Sequence, residues 1–197
     1  MRNKMNTKKI CIFCSSSEDL PKIYYQTVEE LGKMLAYNNY EIIHGAGIIG
    51  LMGALIRGAA KYDAKITGVV PEKLNKKNIV SDSLQTLVVT ADMKDRKEYM
   101  RQNSDAFIAA AGGFGTLEEL MEIITLKQLK YHNKPIVILN TNGFYNTLFQ
   151  HFDKLYQENF TNNDYKNLYH IASSPQEAID YIQNYTPQNI FDKYLKE

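Results

Sequence analysis

Residues 106–128 read AFIAAAGGFGTLEELMEIITLKQ, and the succession of residue types in this stretch decides the fold class. Ala106 to Ala110 is a run of small and apolar side chains suited to a buried strand. Leu117, Leu120, Met121 and Ile124 then recur at the spacing of one helix face. Between the two stand Gly112, Gly113 and Gly115, with Thr116 as a potential cap and anion ligand. A strand that passes through a glycine turn into a helix is half of a βαβ unit.

The same alternation runs outward in both directions. Upstream, Lys9 to Cys14, Tyr40 to His44, Lys65 to Val70 and Leu84 to Val89 read as strands. Tyr24, Val28, Leu31 and Leu35 stripe one intervening helix, and Leu51, Met52, Leu55, Ile56 and Ala59 stripe another. Asp92 can cap a further helix running to Ser104. Pro71 to Ser83 is polar and lysine-rich, and reads as a loop rather than a packed element. Downstream, Pro135 to Leu139 is a strand, Leu148 to Tyr156 a helix, and Leu168 to Ile171 an edge strand. Ser174, Pro175 and Glu177 supply the cap, first-turn proline and capping-box glutamate of a last helix. Strands separated by helices of this length predict a doubly wound, Rossmann-like parallel sheet with helices on both faces.

At 197 residues and about 150 residues per domain, a single domain over 1–197 is expected, with its core at about 9–183 and a polar tail from Thr186. Hydrophobic residues make up 44% and charged residues 23%, which excludes a disordered, collagen-like or coiled-coil chain. Lys plus Arg number 23 against 22 Asp plus Glu. That balance offers no broad basic field for nucleic acid or an anionic membrane. The apolar stretch after the basic start MRNKMNTKK is too short for a signal peptide, and no run of about 18 residues could span a bilayer. A cytoplasmic location is the expectation. Cys11 and Cys14 form a CxxC, but inside a strand their side chains face opposite sides of the sheet, which argues for structural cysteines rather than a redox pair. Four scattered histidines with no HExxH and no second CxxC suggest no metal site.

In doubly wound sheets ligands sit beyond the carboxyl ends of the strands, so the segments just after each strand carry the functional reading. Ser15, Ser16 and Ser17 follow the first strand and can donate to a phosphate or ribose, or simply form a solvated turn. Gly45, Gly47 and Gly50 after the second strand satisfy GxGxxG. The match is to a dinucleotide fingerprint, yet it follows the second strand rather than the first and lacks a clear acidic ribose ligand, Glu72 being the nearest. The alternatives are a phosphate or sugar contact in a different kind of site, and glycines that only allow close helix–strand packing. Gly112 to Thr116 is the strongest candidate, since a helix start exposes N–H groups and a positive dipole end to an anion. Glu118, Glu119 and Glu122 fall in the opening turns of that helix. Successive helical residues point about 100° apart, so one of Glu118 and Glu119 can face the pocket and the other solvent, and the spacing does not choose between them. On the helix before it, Arg96 lies beside the stripe of Met93, Lys97 and Met100, where a buried guanidinium needs a phosphate or a glutamate as partner, or else the side chain snorkels to the surface.

Together these segments resemble the LOG (Lonely Guy) family of phosphoribohydrolases. The family pattern PGGxGTxxE is matched by AGGFGTLEE at Ala111 to Glu119, MxxRK by MKDRK at Met93 to Lys97, and GLMG stands at Gly50 to Gly53. The resemblance runs from about Ile10 to Ile182. It implies hydrolysis of the N-glycosidic bond of a nucleoside 5'-monophosphate, AMP or N6-prenyl-AMP, to free base and ribose 5-phosphate. It further implies Glu119 and Arg96 as catalytic residues, and substrate contacts from Ser16, Gly45, Gly47, Met93, Lys97, Gly112, Gly113, Phe114, Gly115, Thr116, Glu118 and Thr125. No metal or organic cofactor is implied, and the usual assembly is a homodimer or larger homo-oligomer. Departures are Ala111 for proline, His44 and Ala46 within the YGGG segment, Lys94 for histidine, and Asn78 where many relatives have a substrate-contacting glutamate. The last keeps a non-catalytic nucleotide-binding module open as an alternative, and the GxGxxG match keeps an NAD-dependent oxidoreductase as another.

Overall fold

The computed structural model describes residues 8–62 and 64–187. The strands are β1 (Lys9–Phe13), β2 (Glu41–His44), β3 (Ile66–Pro71), β4 (Thr86–Thr90), β5 (Ala106–Ala109), β6 (Ile136–Leu139) and β7 (His170–Ala172). The helices are α1 (Lys22–Tyr37), α2 (Gly50–Ala60), α3 (Met93–Gln102), α4 (Phe114–Gln128), α5 (Asn146–Gln157) and α6 (Pro175–Gln183). The strands form one sheet in the order β4-β3-β2-β1-β5-β6-β7, and every pairing is parallel. This is the doubly wound, Rossmann-like architecture expected. Strand order reverses between β1 and β5, so the loops after these two strands diverge to opposite faces and open a crevice there.

Side chains alternate across the sheet and build two apolar layers. Ile10, Ile12, Ile42 and Ile108 pack with Val28, Leu31 and Leu35 of α1, Leu51 and Leu55 of α2, and Ile179 and Ile182 of α6. On the other face, Phe13, Ile43, Val69 and Phe107 pack with Met100 of α3, Leu120 and Ile123 of α4, and Phe152 and Tyr156 of α5. Cys11 belongs to the second layer and Cys14 to the first, the opposite facing expected of positions three apart along a strand. Both thiols are free, and burial pushes both above the ordinary thiol range. They are core side chains.

Local chemistry explains most element ends. The Asp92 carboxylate accepts from the Asp95 N–H at 2.9 Å and opens α3. That helix stops at Gln102 rather than Ser104, where the Ser104 hydroxyl instead donates to the Met100 carbonyl at 2.7 Å. Ser174 caps α6 through the Glu177 N–H, but the Glu177 carboxylate accepts from the N–H of Ser173 rather than from that of the cap residue. Strand β4 starts at Thr86 rather than Leu84, because Leu84 leaves the sheet edge to pack over Gly68 and Ala46. The segment 71–83 is irregular, with one short turn at Glu72–Leu74, yet it is packed. Val80 is buried against Ala46 and Val70. Its backbone is tied to the β2–α2 loop by Ser81 N–H to Ala46 carbonyl at 3.0 Å and Ile48 N–H to Ile79 carbonyl at 2.9 Å. The tail expected from Thr186 lies outside the described residues from position 188 onward.

Candidate active site

A cleft of about 630 Å³ opens over the β1/β5 reversal, in the size range of small-molecule sites. The loop after β1 supplies Cys14 to Ser17, the loop after β2 supplies Gly45 and Gly47, and the end of β3 supplies Val70 and Pro71. Met93 and Arg96 reach it from α3, and Gly113, Phe114, Gly115, Thr116 and Glu119 from the start of α4. The packed 71–83 segment closes the far side with Leu74, Asn78 and Ile79.

Two helix starts face this region, and they differ in how their amides are used. The Leu51 N–H of α2 is taken by the Ser15 carbonyl at 2.9 Å. Helix α4 begins at Gly113 with no side-chain cap, so its first amides and its positive dipole end are left to the cleft. The glycines divide in the same way. A Cβ at Gly45 would lie 2.5 Å from the Arg96 guanidinium, one at Gly47 2.4 Å from the Met52 side chain, and one at Gly50 2.6 Å from the Ser16 backbone. Gly50, at φ 61° and against backbone, has no room for a side chain, while Gly45 and Gly47 lie under the ends of the Arg96 and Met52 side chains. At Gly113 and Gly115 a Cβ would meet no atom within 4 Å. Gly113 has φ −89° and ψ −155°, an extended conformation open to any residue, so neither sterics nor strain demands glycine there. An anion brought close to the backbone would.

Arg96 and Glu119 meet inside the cleft. Arg96 Nη1 donates to Glu119 Oε1 at 2.7 Å, and the two side chains are only 11% and 12% exposed. Arg96 Nε donates to the Val69 carbonyl at 3.0 Å, which anchors the guanidinium to the end of β3. Burial pushes the Glu119 carboxyl above the usual carboxylate range, and the Arg96 charge opposes that shift. The partner required by a buried Arg96 is therefore a glutamate of the neighbouring helix. The ambiguity between Glu118 and Glu119 resolves geometrically. Lys97, one residue beyond Arg96, pairs with Glu118 and with Glu122, the latter at 3.1 Å, and both carboxylates turn outward.

Of the residues singled out in the sequence, Ser16, Gly45, Gly47, Asn78, Met93, Arg96, Gly113, Phe114, Gly115, Thr116 and Glu119 line the cleft. Gly112 sits behind it, its α-carbon packed on Thr116 so tightly that a Cβ would come within 2.1 Å of the threonine hydroxyl. Lys97, Glu118 and Thr125 are not in the cleft. Lys97 is occupied by its two glutamates, while Glu118 and Thr125 border a separate shallow groove on the outer face of α4. Val70 and Pro71 enter as the last two residues of β3, whereas Ile49, Leu74 and Ile79 enter through the long-range pairing of the 45–48 and 78–81 segments. Among the described residues no group of three or more His, Cys, Asp and Glu is placed to hold a metal ion, and no lysine lines the cleft to carry a pyridoxal group.

Fold and cleft together define a doubly wound α/β protein with an uncapped glycine helix start beside a buried guanidinium–carboxylate pair. A family model described as "Possible lysine decarboxylase" matches residues 52–182. The probable cytokinin riboside 5'-monophosphate phosphoribohydrolase LOGL2 of Oryza sativa subsp. japonica is 37% identical over 182 residues, spanning 92% of this chain and 75% of its own. The cytokinin riboside 5'-monophosphate phosphoribohydrolase LOG1 of Arabidopsis thaliana is also 37% identical over 182 residues, spanning 92% and 85%. The solved molybdenum cofactor binding protein from the phototrophic bacterium Rippkaea orientalis superposes with a TM-score of 0.71 at 23% identity, over 91% of this chain and 97% of its own; that likeness is one of fold. The chain belongs to the LOG family.

Proposed function

We propose that the protein hydrolyses the N-glycosidic bond of an adenine-type nucleoside 5'-monophosphate, AMP or N6-prenyl-AMP, releasing the free base and ribose 5-phosphate. The observation that carries this reading is the Arg96–Glu119 pair held at 2.7 Å beside the uncapped start of α4. The amides of Gly113 to Gly115 take the 5'-phosphate. Binding energy from that remote group then orients the sugar.

Cleavage builds positive charge at C1' of the ribose. The C1'–N bond breaks with its electron pair going to the base, which takes up a proton from solvent; the Glu119 carboxylate stabilises the sugar charge, orients the attacking water and receives its proton. A carboxyl shifted upward by burial is a better base than an ordinary one. Arg96 stays protonated throughout and cannot serve as the general acid. Its Nε and Nη1 are committed to Val69 and Glu119, so it aims the carboxylate, and its Nη2 lies over Gly45 for contact with substrate. Ile49, Leu74, Ile79 and Met93 on the far side of the cleft suit a base and an apolar N6 substituent.

Asn78 offers an amide on that wall and tunes base preference rather than the chemistry. The protein acts in the cytoplasm as a homodimer or larger homo-oligomer. Support for association is the 93% exposure of Phe114, an apolar ring at the cleft mouth, next to the shallow groove on α4. No helix among the described residues is long and apolar enough to cross a membrane. The test is incubation with a panel of monophosphates and chromatography of the products. Free adenine or prenyladenine is expected from wild type and not from Glu119→Gln; nucleotide binding with no base released would mark a binding module instead.

A further inference from the structure

We infer that the hydroxyl of Tyr145, a residue outside the cleft, is the positioning group that aims the phosphate-binding amides at the start of α4. The inference rests on the phosphate role proposed for that loop. Tyr145 is 2% exposed and stands at the cap position of α5. Its hydroxyl donates to the Ala110 carbonyl at 2.7 Å, two residues before Gly112. One phenol thus ties down the chain where it enters the glycine turn.

The remaining polar groups of that turn belong to β1. The Ala110 N–H donates to the Phe13 carbonyl at 2.9 Å, and the Ser15 N–H donates to the Ala111 carbonyl at 3.1 Å. Strand β1 therefore holds one side of the turn and Tyr145 the other. Ala110 and the Ala111 carbonyl are fixed before the chain reaches Gly113, and the direction of the next amides follows from that turn.

The surroundings of Tyr145 are built to place this one hydroxyl. Its own N–H donates to the Asn140 side chain at 2.8 Å, and the Asn140 amide donates in turn to Asn146 at 2.8 Å. The loop reaches that arrangement through left-handed backbone at Asn142 (φ 52°) and Gly143 (φ 70°). The Phe144 ring packs edge-on to the Tyr145 ring at 4.8 Å. Packing alone would be served as well by phenylalanine. The hydroxyl has partners only in the phosphate loop.

The test is Tyr145→Phe, with AMP and the matching nucleoside, adenosine, as substrates. A buried hydrogen bond of ordinary strength corresponds to roughly tenfold, so KM for AMP should rise about tenfold with kcat within about twofold. The kcat/KM for adenosine, which has no phosphate, should hold. Phe144→Leu serves as the packing control, with a lower melting temperature and an unchanged KM for AMP. A Tyr145→Phe protein that melts earlier but keeps the wild-type KM, or that loses equally on AMP and adenosine, would overturn the inference. Should Tyr145→Phe not fold, Asn140→Ala, which frees the Tyr145 backbone, must show the same phosphate-selective loss; equal loss on both substrates there also overturns it. If wild type releases no base from AMP, the hydrolase reading has failed and the positioning claim is read by calorimetry with AMP: weaker binding by Tyr145→Phe supports it, and equal affinity refutes it.

Discussion

Replacing Gly115 by alanine should make the protein more stable and a worse enzyme, and the two effects have separate causes. Gly115 is the second residue of α4, and a Cβ there meets no protein atom within 4 Å. Alanine in a helix is favoured over glycine by up to about 1 kcal/mol, of which a first-turn position yields about half. For a chain of this size about 0.5 kcal/mol corresponds to a rise of roughly 1–2 °C in Tm. The methyl group, however, stands where a phosphate oxygen must come to reach the amides. KM for AMP should rise by an order of magnitude or more, roughly the 1.4 kcal/mol of one lost charge-assisted hydrogen bond. Gly113→Ala should behave alike. Gly112→Ala should not, because its Cβ would collide with the Thr116 hydroxyl at 2.1 Å and destabilise the fold itself. Thermal melts and steady-state kinetics on the three variants check the pattern. An unchanged KM in Gly113→Ala and Gly115→Ala would refute the argument that the open space at these glycines belongs to the phosphate.

Arg96→Ala removes the cation that opposes the upward shift of the Glu119 carboxyl, so the acid limb of the pH–kcat/KM profile should move to higher pH. Leaving the buried carboxylate without a partner should cost about 3 kcal/mol of stability in urea titrations at neutral pH. Ala46 lies at φ 65°: Ala46→Gly relieves about 1–2 kcal/mol of left-handed strain but loses a buried methyl of about 0.8 kcal/mol and gains unfolded-state freedom of similar size. Stability should therefore change by less than about 1 kcal/mol, whereas Ala46→Val should be strongly destabilising; denaturant midpoints decide. His44 and His132 are both pushed down from 6.5 to about 4, chiefly by burial. The unfolded chain takes up these protons first as pH falls, so stability present above pH 6.5 is lost on the way to pH 4, by about 2 kcal/mol at pH 5 for the fully buried His44 and by less for the partly exposed His132. His44→Phe, which also removes two buried ring nitrogens that lack partners, should remove more than half of the difference these two histidines make between urea midpoints at pH 7 and pH 5.

The fold was legible because each strand carries a short apolar run and each helix an apolar stripe, and because parallel pairing follows from their alternation. What periodicity could not convey was the segment 71–83. Its polarity reads as loose loop, yet hydrogen bonds to Ala46 and Ile48, residues more than thirty positions away, pack it against the cleft and bring Leu74, Asn78 and Ile79 into the site. Looking just past each strand leads to Ser16, Gly45 and the glycine loop, but not to Val70 and Pro71, which are the last residues of β3 itself. Glu118 and Glu119 were indistinguishable by sequence since both lie at the right depth on α4. Their roles are separated by α3, whose adjacent Arg96 and Lys97 point to different sides and take one carboxylate each. Tyr145 carried no signal of its own, being one aromatic among several in an apolar stretch.

These observations make α4 a ruler. A helix rises 1.5 Å per residue, so the four steps from Gly115 to Glu119 span about 6 Å along the axis, comparable to the reach of a ribose 5-phosphate from its phosphorus to C1'. On the proposed function, the anion end of the substrate is set by amides at the helix start, and the reacting carbon by a side chain one turn further on. Both ends are held from outside the helix: the start by β1 and Tyr145 through Ala110 and Ala111, and the carboxylate by Arg96, itself fastened to the Val69 carbonyl. A buried ion pair is a poor source of stability, since desolvation offsets most of its attraction. Its use here is geometric. The same guanidinium lies over residue 45, separates the inward Glu119 from the outward Glu118, and opposes the upward push of burial on the Glu119 carboxyl.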